Sequence, residues 1–268
     1  RSRTMAFLTL ITDWGLRDHY VASFKGKLLS RSADLGIIDI SHEIDPFNTL
    51  HAAFVLRNAY SAFPTGTVHY IGLDGAGNSA QDEPGRDYLI VTANGHHFVG
   101  VDSGIFSLLL GEEEKKIHRL PIDPIRTGHR EVQDQLVDVL IKLCTGKHPR
   151  QLGLEVDHLL PSFFAQPTVD PGGIRGALVY VDGFGNSIFN ISRELFERER
   201  KDRSYSILLR RANYTVRQIM HDYGSVETGE IVALFNQDGY LEIAINRDNA
   251  SKLLGLKQFD TLRIEFHD

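Results

Sequence analysis

The order of apolar and polar positions predicts that strands alternate with helices through the first 165 residues. Residues 6–12 form a continuous apolar and β-branched run, which is typical of a buried strand. Apolar residues then recur at helical spacing and predict a helix over 18–32. The same alternation continues with strands at 34–41 and 67–74 and with helices at 50–63, 105–110 and 131–144. Strands and helices in this order predict crossover units and a largely parallel sheet.

Two features modify this pattern. The dipeptide Asn94-Gly95 separates two β-rich runs at 86–93 and 96–102 and suits a two-residue hairpin turn, so antiparallel pairing is expected to join the sheet. After residue 160 a stretch rich in proline and glycine is followed by short strand patterns at 176–181, 206–210, 231–236, 241–246 and 262–266. Many strands with few helices predict a small antiparallel barrel or sandwich. We therefore expect an α/β domain over 5–165 and a β-domain over 166–268.

Composition narrows the class of protein. Of the 268 residues, 42% are apolar and 24% are charged, and the formal net charge is −6 with acids and bases interspersed, which argues against binding to nucleic acid or an anionic membrane. The single cysteine, Cys144, rules out an intrachain disulfide framework and a zinc ribbon. No apolar run approaches the length of a membrane span, and no signal-peptide pattern is evident. A cytoplasmic location is the expectation.

The stretch 12–26 is the strongest candidate for chemistry. Asp13, Gly15 and Asp18 lie between the first predicted strand and the first predicted helix. Ligands of α/β proteins bind at the carboxyl ends of strands, where an aspartate accepts two hydrogen bonds from a ribose diol. Asp13 is equally consistent with a helix cap, so both roles stay open.

Other motifs favour ordinary structural roles. The glycines that begin at Gly75 match a dinucleotide fingerprint, but the residues after them cannot open a helix. Cys144 falls in a helical apolar stripe, as expected for an inert core thiol. Taken singly, Asp74, Arg86 and His129 are an ordinary turn former, a surface cation and a capping neighbour. Metal binding would need some of His42, His51, His96, His97, His129, Asp74 and Asp102, whose spacing matches no compact ligand motif.

Five segments together carry a resemblance to a known family. They are Thr12-Asp-Trp-Gly-Leu-Arg-Asp18, Asp39-Ile-Ser-His-Glu-Ile-Asp-Pro-Phe47, Phe63-Pro-Thr-Gly-Thr-Val-His69, Val181-Asp-Gly-Phe-Gly-Asn186 and Gly239-Tyr-Leu-Glu-Ile-Ala-Ile-Asn246. In order and spacing they resemble the S-adenosyl-L-methionine hydroxide adenosyltransferases, relatives of the fluorinase and chlorinase that use the same substrate. The resemblance runs nearly from end to end of the chain. It implies an N-terminal α/β domain, a C-terminal β-barrel and a homotrimer in which neighbouring subunits share each site.

The resemblance also assigns roles by matching positions. S-adenosyl-L-methionine would be the substrate, with no cofactor and no metal, and water would displace methionine from the ribose 5′-carbon. Asp13 would bind the ribose hydroxyls and Phe47 would pack against the nucleoside. The catalytic set would be Asp74, Arg86 and His129. The methionine portion would lie near Asp18, Asp182 and Asn186, and adenine would be read by Asn246, the backbone of Ile245 and Arg247, and the ring of Tyr223.

The sequence departs from the family around this catalytic set. The family reads Asp-Pro-Gly-Val-Gly with an arginine soon after, whereas this chain has Asp74-Gly-Ala-Gly-Asn and an acidic insert before Arg86. Around His129 the family has His-Gly-Arg-Asp, whereas this chain has His-Arg-Glu. Three alternatives therefore stay open: a halogenase, a nucleoside-binding protein without turnover, and a metal-dependent hydrolase.

Overall fold

A computed structural model describes residues 6–73, 87–123, 128–209 and 213–267. The chain forms two compact units, Arg1–Phe163 and Phe164–Asp268. Among the described residues, no helix combines the length and the apolar character needed to cross a membrane.

The first unit is a seven-stranded sheet with helices on it. Its strands are β1 (Leu8–Thr12), β2 (Ile37–Ser41), β3 (Val68–Gly72), β4 (Tyr88–Ala93), β5 (His96–Val101), β6 (Lys115–Arg119) and β7 (Leu154–Val156). Its α-helices are α1 (Tyr20–Arg31), α2 (Thr49–Ala59), α3 (Ile105–Leu110) and α4 (His129–Cys144), with short 3-10 turns at Tyr60–Ala62 and Pro149–Gln151. The strand order is β2-β1-β3-β5-β4-β6-β7.

Strand direction in this sheet changes halfway across. The described neighbours from β2 to β5 pair in parallel, and those from β5 to β7 pair antiparallel. The expected α/β unit with a mixed sheet is confirmed, but only the first half of the sheet is parallel. The Asn94-Gly95 hairpin causes the reversal: both residues have positive φ, 51° and 78°, as a type I′ turn requires.

The burial of β1 and β3 explains the continuous apolar runs from which these two strands were predicted. All five residues of β1 and of β3 are buried, because helices cover the centre of a parallel sheet on both faces. One core cluster joins β1, β3, β4 and β5 to α1 and α4, and includes Phe24, Tyr70 and Leu136. The sequence did not predict β6, in which two lysines precede Ile117 and so hide the strand pattern.

The second unit is a β-structure with two short helices. Its strands are β8 (Thr168–Asp170), β9 (Gly173–Val181), β10 (Ser187–Ser192), β11 (Ser204–Leu209), β12 (Tyr214–Val216), β13 (Ile219–Met220), β14 (Ile231–Phe235), β15 (Tyr240–Ile245) and β16 (Thr261–His267). Its helices are α5 (Arg193–Arg200) and α6 (Ala250–Leu254), with a 3-10 turn at Tyr223–Ser225. The strand order is β12-β11-β16-β9-β10-β15-β14-β13, with β8 added beside β9.

This second sheet curls into a nearly closed barrel. β12 and β14, near the two ends of the strand order, pack against each other. The described strand pairs are antiparallel apart from β13 and β14, which run parallel. Side chains from most of these strands fill the interior, where Phe189 and Phe196 are fully buried. The sequence expectation of a barrel or a sandwich therefore resolves to a barrel-like sheet.

Candidate functional site

Asp13 lies at the carboxyl end of β1, between the parallel neighbours β2 and β3. Its backbone N–H donates to the carbonyl of Gly72 at 3.3 Å, and its carboxylate Oδ2 accepts from the backbone N–H of Phe47 at 3.3 Å. The N-cap residue of α1 is His19, which precedes Tyr20, so Asp13 does not occupy the cap position of this helix. The capping interpretation is therefore wrong. Asp13 is a carboxylate, only 9% exposed, at the edge of the sheet where α/β proteins bind ligands.

Phe47 is displayed beside Asp13 in a strained backbone conformation. Its φ is +61°, a region that residues other than glycine, asparagine and aspartate rarely adopt. Its ring is 67% exposed, so core packing does not explain the strain. Such backbone outliers cluster at ligand sites. The structure thus brings together Asp13 and the backbone of Phe47, the two residues expected to bind the ribose and the nucleoside.

Trp14 supports the same edge, and the sequence analysis gave it no role. Its ring packs edge-on against Phe24 and Tyr70, with centroid distances of 5.3 and 6.2 Å. A Cβ at position 72 would lie 2.9 Å from Cζ2 of Trp14, so this close approach requires Gly72. The motif position directly after Asp13 was the available signal for this residue.

Four further residues of the first unit were expected at the site. Asp18 is exposed in the connection between β1 and α1. Asp74 and Arg86 lie outside the described residues, as does the glycine-rich segment that begins at Gly75. His129 is the first residue of α4, and α4 packs against β3.

In the second unit, Asp182 and Asn186 close one turn. Asp182 Oδ1 accepts from the backbone N–H groups of Phe184 and Asn186, both at 2.9 Å, and Oδ2 accepts from Nδ2 of Asn186 at 3.0 Å. Gly185 has a φ of +84°, and a Cβ there would lie 2.1 Å from Cγ of Asn249. Phe184, between the two turn glycines, is 82% exposed. The sequence analysis gave this residue no role.

The downstream end of the β14–β15 hairpin carries Asn246. Its backbone N–H donates to the carbonyl of Glu230 at 3.0 Å, and its side-chain Nδ2 donates to the carbonyl of Val226 at 2.8 Å. This bond uses one of the two amide hydrogens of Asn246, whose side chain also carries a second hydrogen and an acceptor oxygen. Ile245 is buried, and the exposed Arg247 has a φ of +64°. The hairpin end is therefore a second strained turn among the expected site residues.

Tyr223 pairs with Glu242, which sequence reasoning also missed. The Tyr223 hydroxyl donates to Oε1 of Glu242 at 2.7 Å, and Glu242 is only 2% exposed. Burial raises the pKa of Glu242, and the nearby charge of Asp182 raises it further. Burial and the bond to Glu242 likewise raise the pKa of Tyr223. The signal in the sequence was a single carboxylate within the apolar strand Tyr-Leu-Glu-Ile-Ala-Ile.

Two of the histidines considered as metal ligands, His42 and His96, are buried in other contacts. His96 Nδ1 lies 3.2 Å from Nε2 of the fully buried His69, whose Nδ1 is 2.6 Å from Thr9 Oγ1. Among the described residues, no group of three or more His, Cys, Asp or Glu side chains is arranged to hold a metal ion. Cys144 is 2% exposed, and burial raises the pKa of its thiol to about 12, as expected for an inert thiol.

Comparison with known proteins agrees with the two units. Residues 8–153 match the model of the SAM hydroxide adenosyltransferase N-terminal domain, and residues 176–263 match that of the C-terminal domain. A protein of Methanocaldococcus jannaschii named (R)-S-adenosyl-L-methionine hydrolase is 31% identical over 98% of this chain and 97% of its own. A protein of the same name from Thermus thermophilus is 27% identical over 95% of this chain and 97% of its own.

Solved structures give the same result for the fold. A conserved protein of Thermotoga maritima, titled uncharacterized, superposes with a TM-score of 0.84 at 27% identity, covering 96% of this chain and 99% of its own. A conserved hypothetical protein of Thermus thermophilus has a TM-score of 0.74 at 24% identity and shows the fold alone. Because both domain models match and a relative is 31% identical over nearly the whole chain, the chain belongs to the SAM hydroxide adenosyltransferase family.

Proposed function

We propose that this protein hydrolyses S-adenosyl-L-methionine to adenosine and L-methionine. The observation that carries the proposal is the match of both domains to the family, together with relatives named (R)-S-adenosyl-L-methionine hydrolase at 24–31% identity over nearly the whole chain. The reaction is a displacement at the ribose 5′-carbon. A C–O bond forms from water, the C–S bond breaks, methionine leaves as a neutral thioether, and the water proton passes to a base.

Asp13 and Phe47 form the ribose end of the proposed site. Asp13 offers its carboxylate to the two ribose hydroxyls, which donate charge-assisted hydrogen bonds. Phe47 offers its exposed ring to the nucleoside. The 3.3 Å bond from Phe47 N–H to Asp13 Oδ2 supports this pairing, because it holds the backbone of Phe47 next to the Asp13 carboxylate.

The second unit supplies the adenine and methionine contacts in this proposal. Asn246 and the backbone of Ile245 and Arg247 read adenine, and Tyr223, a residue that is 42% exposed, offers an aromatic face. Asp182 and Asn186 lie near the methionine portion, and in the proposed trimer Asp18 is supplied by the first unit of a neighbouring subunit. The two carboxylates suit the cationic ammonium and sulfonium groups of the substrate.

Water activation is assigned to Asp74, Arg86 and His129. Water is a weak nucleophile, and hydroxide is scarce at neutral pH. A guanidinium near bound water favours its anionic form, while an aspartate and a histidine orient it and take the proton. Holding water, carbon and sulfur in line contributes on the order of 7–11 kcal/mol.

We extend the proposal to substrate configuration, assembly and location. The relatives' name specifies the R configuration, so we propose that this chain prefers the (R)-sulfonium diastereomer. The family resemblance supports a homotrimer in which neighbouring subunits share each site, and the composition of the sequence supports a cytoplasmic location. Each epimer, purified and incubated separately, tests the preference by its kcat/KM value, and equal values for the two epimers contradict it.

Incubation with S-adenosyl-L-methionine in oxygen-18 water tests the reaction itself. We expect adenosine with the label in its 5′-hydroxyl, together with methionine, by chromatography and mass spectrometry. Adenosine without label contradicts direct displacement by water. Added chloride or fluoride should give no 5′-halogenated nucleoside, and its formation would support the halogenase alternative. Binding without turnover would support the nucleoside-binding alternative, and inhibition by a chelator the metal-dependent one.

A further inference from the structure

His42 lies at the carboxyl end of β2, next to the proposed ribose site but closed off from solvent. It is 3% exposed. Its Nδ1 is 2.7 Å from Thr12 Oγ1 on β1, in a hydrogen bond whose donor depends on the imidazole tautomer. Its Nε2 is 3.0 Å from Oδ1 of Asp39, close enough for an ion pair although not aligned as a hydrogen bond. One imidazole therefore joins the ends of two parallel strands.

Asp39, the residue that His42 contacts on the side away from β1, is anchored to helix α1. Lys25 Nζ on α1 donates to the other carboxylate oxygen of Asp39 at 2.6 Å. Burial raises the pKa of Asp39, but the contacts with Lys25 and His42 outweigh that effect and lower it. Asp39 is thus held as an anion, and the imidazole is fixed between that anion and the Thr12 hydroxyl.

On the side of β1, Thr12 and His42 hold the residues that precede and follow Asp13. Thr12 directly precedes Asp13, and its Oγ1 also accepts from the backbone N–H of Trp14 at 3.3 Å. The carbonyl of His42 accepts from the backbone N–H of Gly15 at 2.7 Å. His42 therefore contacts the loop 12–16 through both its ring and its backbone.

His42 also begins the loop that presents Phe47. Within that loop, Ile44 N–H donates to the carbonyl of Thr12 at 3.4 Å, and Glu43 Oε1 accepts from Leu16 N–H at 3.1 Å. Both loops thus start from the contact between Thr12 and His42. The bond from Phe47 N–H to Asp13 closes the arrangement from the other end.

We propose that His42 is a positioning residue of the ribose site: it locks the loops 12–16 and 41–47 together and so sets the orientation of Asp13 and Phe47. This inference rests on the proposed function, in which those two residues bind the nucleoside. A carboxylate that binds a diol through two hydrogen bonds has to keep its orientation, and the supporting contacts determine how well it does so.

The test compares two buried threonine–histidine pairs that both involve β1. Thr12→Val removes the hydroxyl that His42 contacts and keeps the side-chain shape, whereas Thr12→Ser keeps the hydroxyl. The control pair is Thr9, which lies on β1 like Thr12, and His69 of β3, with Oγ1 and Nδ1 2.6 Å apart. Thr9→Val and His69→Gln therefore remove a similar buried hydrogen bond away from the loops. His42→Gln completes the set.

Each variant is measured for adenosine affinity by calorimetry, for KM and kcat with S-adenosyl-L-methionine, and for thermal unfolding. We expect Thr12→Val and His42→Gln to weaken adenosine binding and to raise KM by roughly three- to tenfold, with a smaller change in kcat. Both variants lose the hydrogen bond between Thr12 and His42, and Thr12→Val also loses the 3.3 Å bond from Trp14 N–H, so its effect should be the larger of the two. Thr12→Ser should restore most of the affinity. The two control variants should lower the unfolding temperature comparably and leave KM unchanged.

Asp13→Asn separates this inference from the proposed function. Wild-type adenosine affinity in Asp13→Asn contradicts the proposed ribose site itself. Loss of affinity in Asp13→Asn but not in Thr12→Val or His42→Gln overturns only the role of His42. If His42→Gln does not fold, the comparison of Thr12→Val with Thr12→Ser decides, and equal KM values for those two overturn the inference.

Discussion

Two residues expected at the nucleoside site adopt backbone angles that favour glycine. Phe47 and Arg247 have φ values of 61° and 64°, and both side chains are exposed. A left-handed residue other than glycine costs on the order of 1–3 kcal/mol and persists where the surroundings enforce it. At the scale of single residues, the proposed site is therefore marked by strain that core packing does not explain.

This strain makes a prediction for Phe47. The free energy of unfolding of Phe47→Gly should exceed that of Phe47→Ala by about 1 kcal/mol, because glycine adopts positive φ without a steric cost. Both variants should bind adenosine more weakly than the native protein, since both lose the ring. Urea unfolding and calorimetry measure the two quantities. Equal stability of the glycine and alanine variants contradicts strain, and native affinity in both contradicts the ring contact.

Arg86 carries the prediction about catalysis. If Arg86 favours the anionic form of the attacking water, Arg86→Ala should lower kcat by about a hundredfold or more and change KM far less, because the anion develops in the transition state. Arg86→Lys should recover part of the rate, since lysine keeps the charge but loses the planar fork. The pH–rate profile of the alanine variant should shift toward high pH, where hydroxide is available.

The alternative for Arg86 is a solvated cation among acidic neighbours. Exposed ion pairs contribute only about 0–1 kcal/mol, so alanine would then change little. Near-native turnover with an unchanged pH profile would remove Arg86 from the mechanism. Water activation would then fall to Asp74 and His129.

At the scale of secondary-structure elements, β3 and β5 bring buried imidazoles together. His69 of β3 lies between Thr9 and His96, and its ring stacks on Phe98 with a centroid distance of 5.0 Å. Burial, together with the nearby His96 and His97, lowers the pKa of His69 to about 3. Burial also lowers the pKa values of His96, His97 and His118. These strands thus pack neutral imidazoles into the first unit.

The pKa of His69 predicts how stability depends on pH. Below about pH 6.5 the unfolded chain binds a proton that the folded His69 does not, so the free energy of unfolding falls as pH falls toward about 3. The loss from this residue is at most about 1.4 kcal/mol per pH unit. Urea unfolding of the native protein and of His69→Gln between pH 7 and 5 should show a flatter dependence for the variant. Identical slopes would contradict the buried, neutral imidazole.

At the scale of the whole molecule, the proposed trimer is tested by mixing subunits. Asp74→Ala removes a proposed catalytic group in the first unit, and Asn246→Ala removes a proposed adenine contact in the second. If neighbouring subunits share each site, exchange between the two inactive variants should leave about a quarter of the sites intact. Activity should therefore reappear after mixing. An active monomer in light scattering, or no recovery after proven exchange, contradicts the shared site.

Much of the architecture could be predicted because its determinants are local. The buried strand β1, the helices α1 and α4 and the Asn94-Gly95 turn follow from apolar spacing and turn chemistry within a few residues. Strands such as β6 could not be predicted, because their pairing partners rather than their own pattern stabilise them. The same limit explains why the sheet was expected to be largely parallel: strand direction beyond the first half depends on pairing between distant segments.

The sequence by itself determined the family, the order of the elements and the identity of the candidate site residues. The tertiary structure decided which of these residues meet. Asp13 and Phe47 are 34 residues apart, and the parallel pairing of β1 with β2 brings their loops together. It also decided that His42 and Glu242 are buried in contacts with Thr12 and Tyr223, because burial of a polar side chain depends on what packs over it. Composition and periodicity carry no information about such partners, since these hydrogen bonds join segments that are distant in the chain.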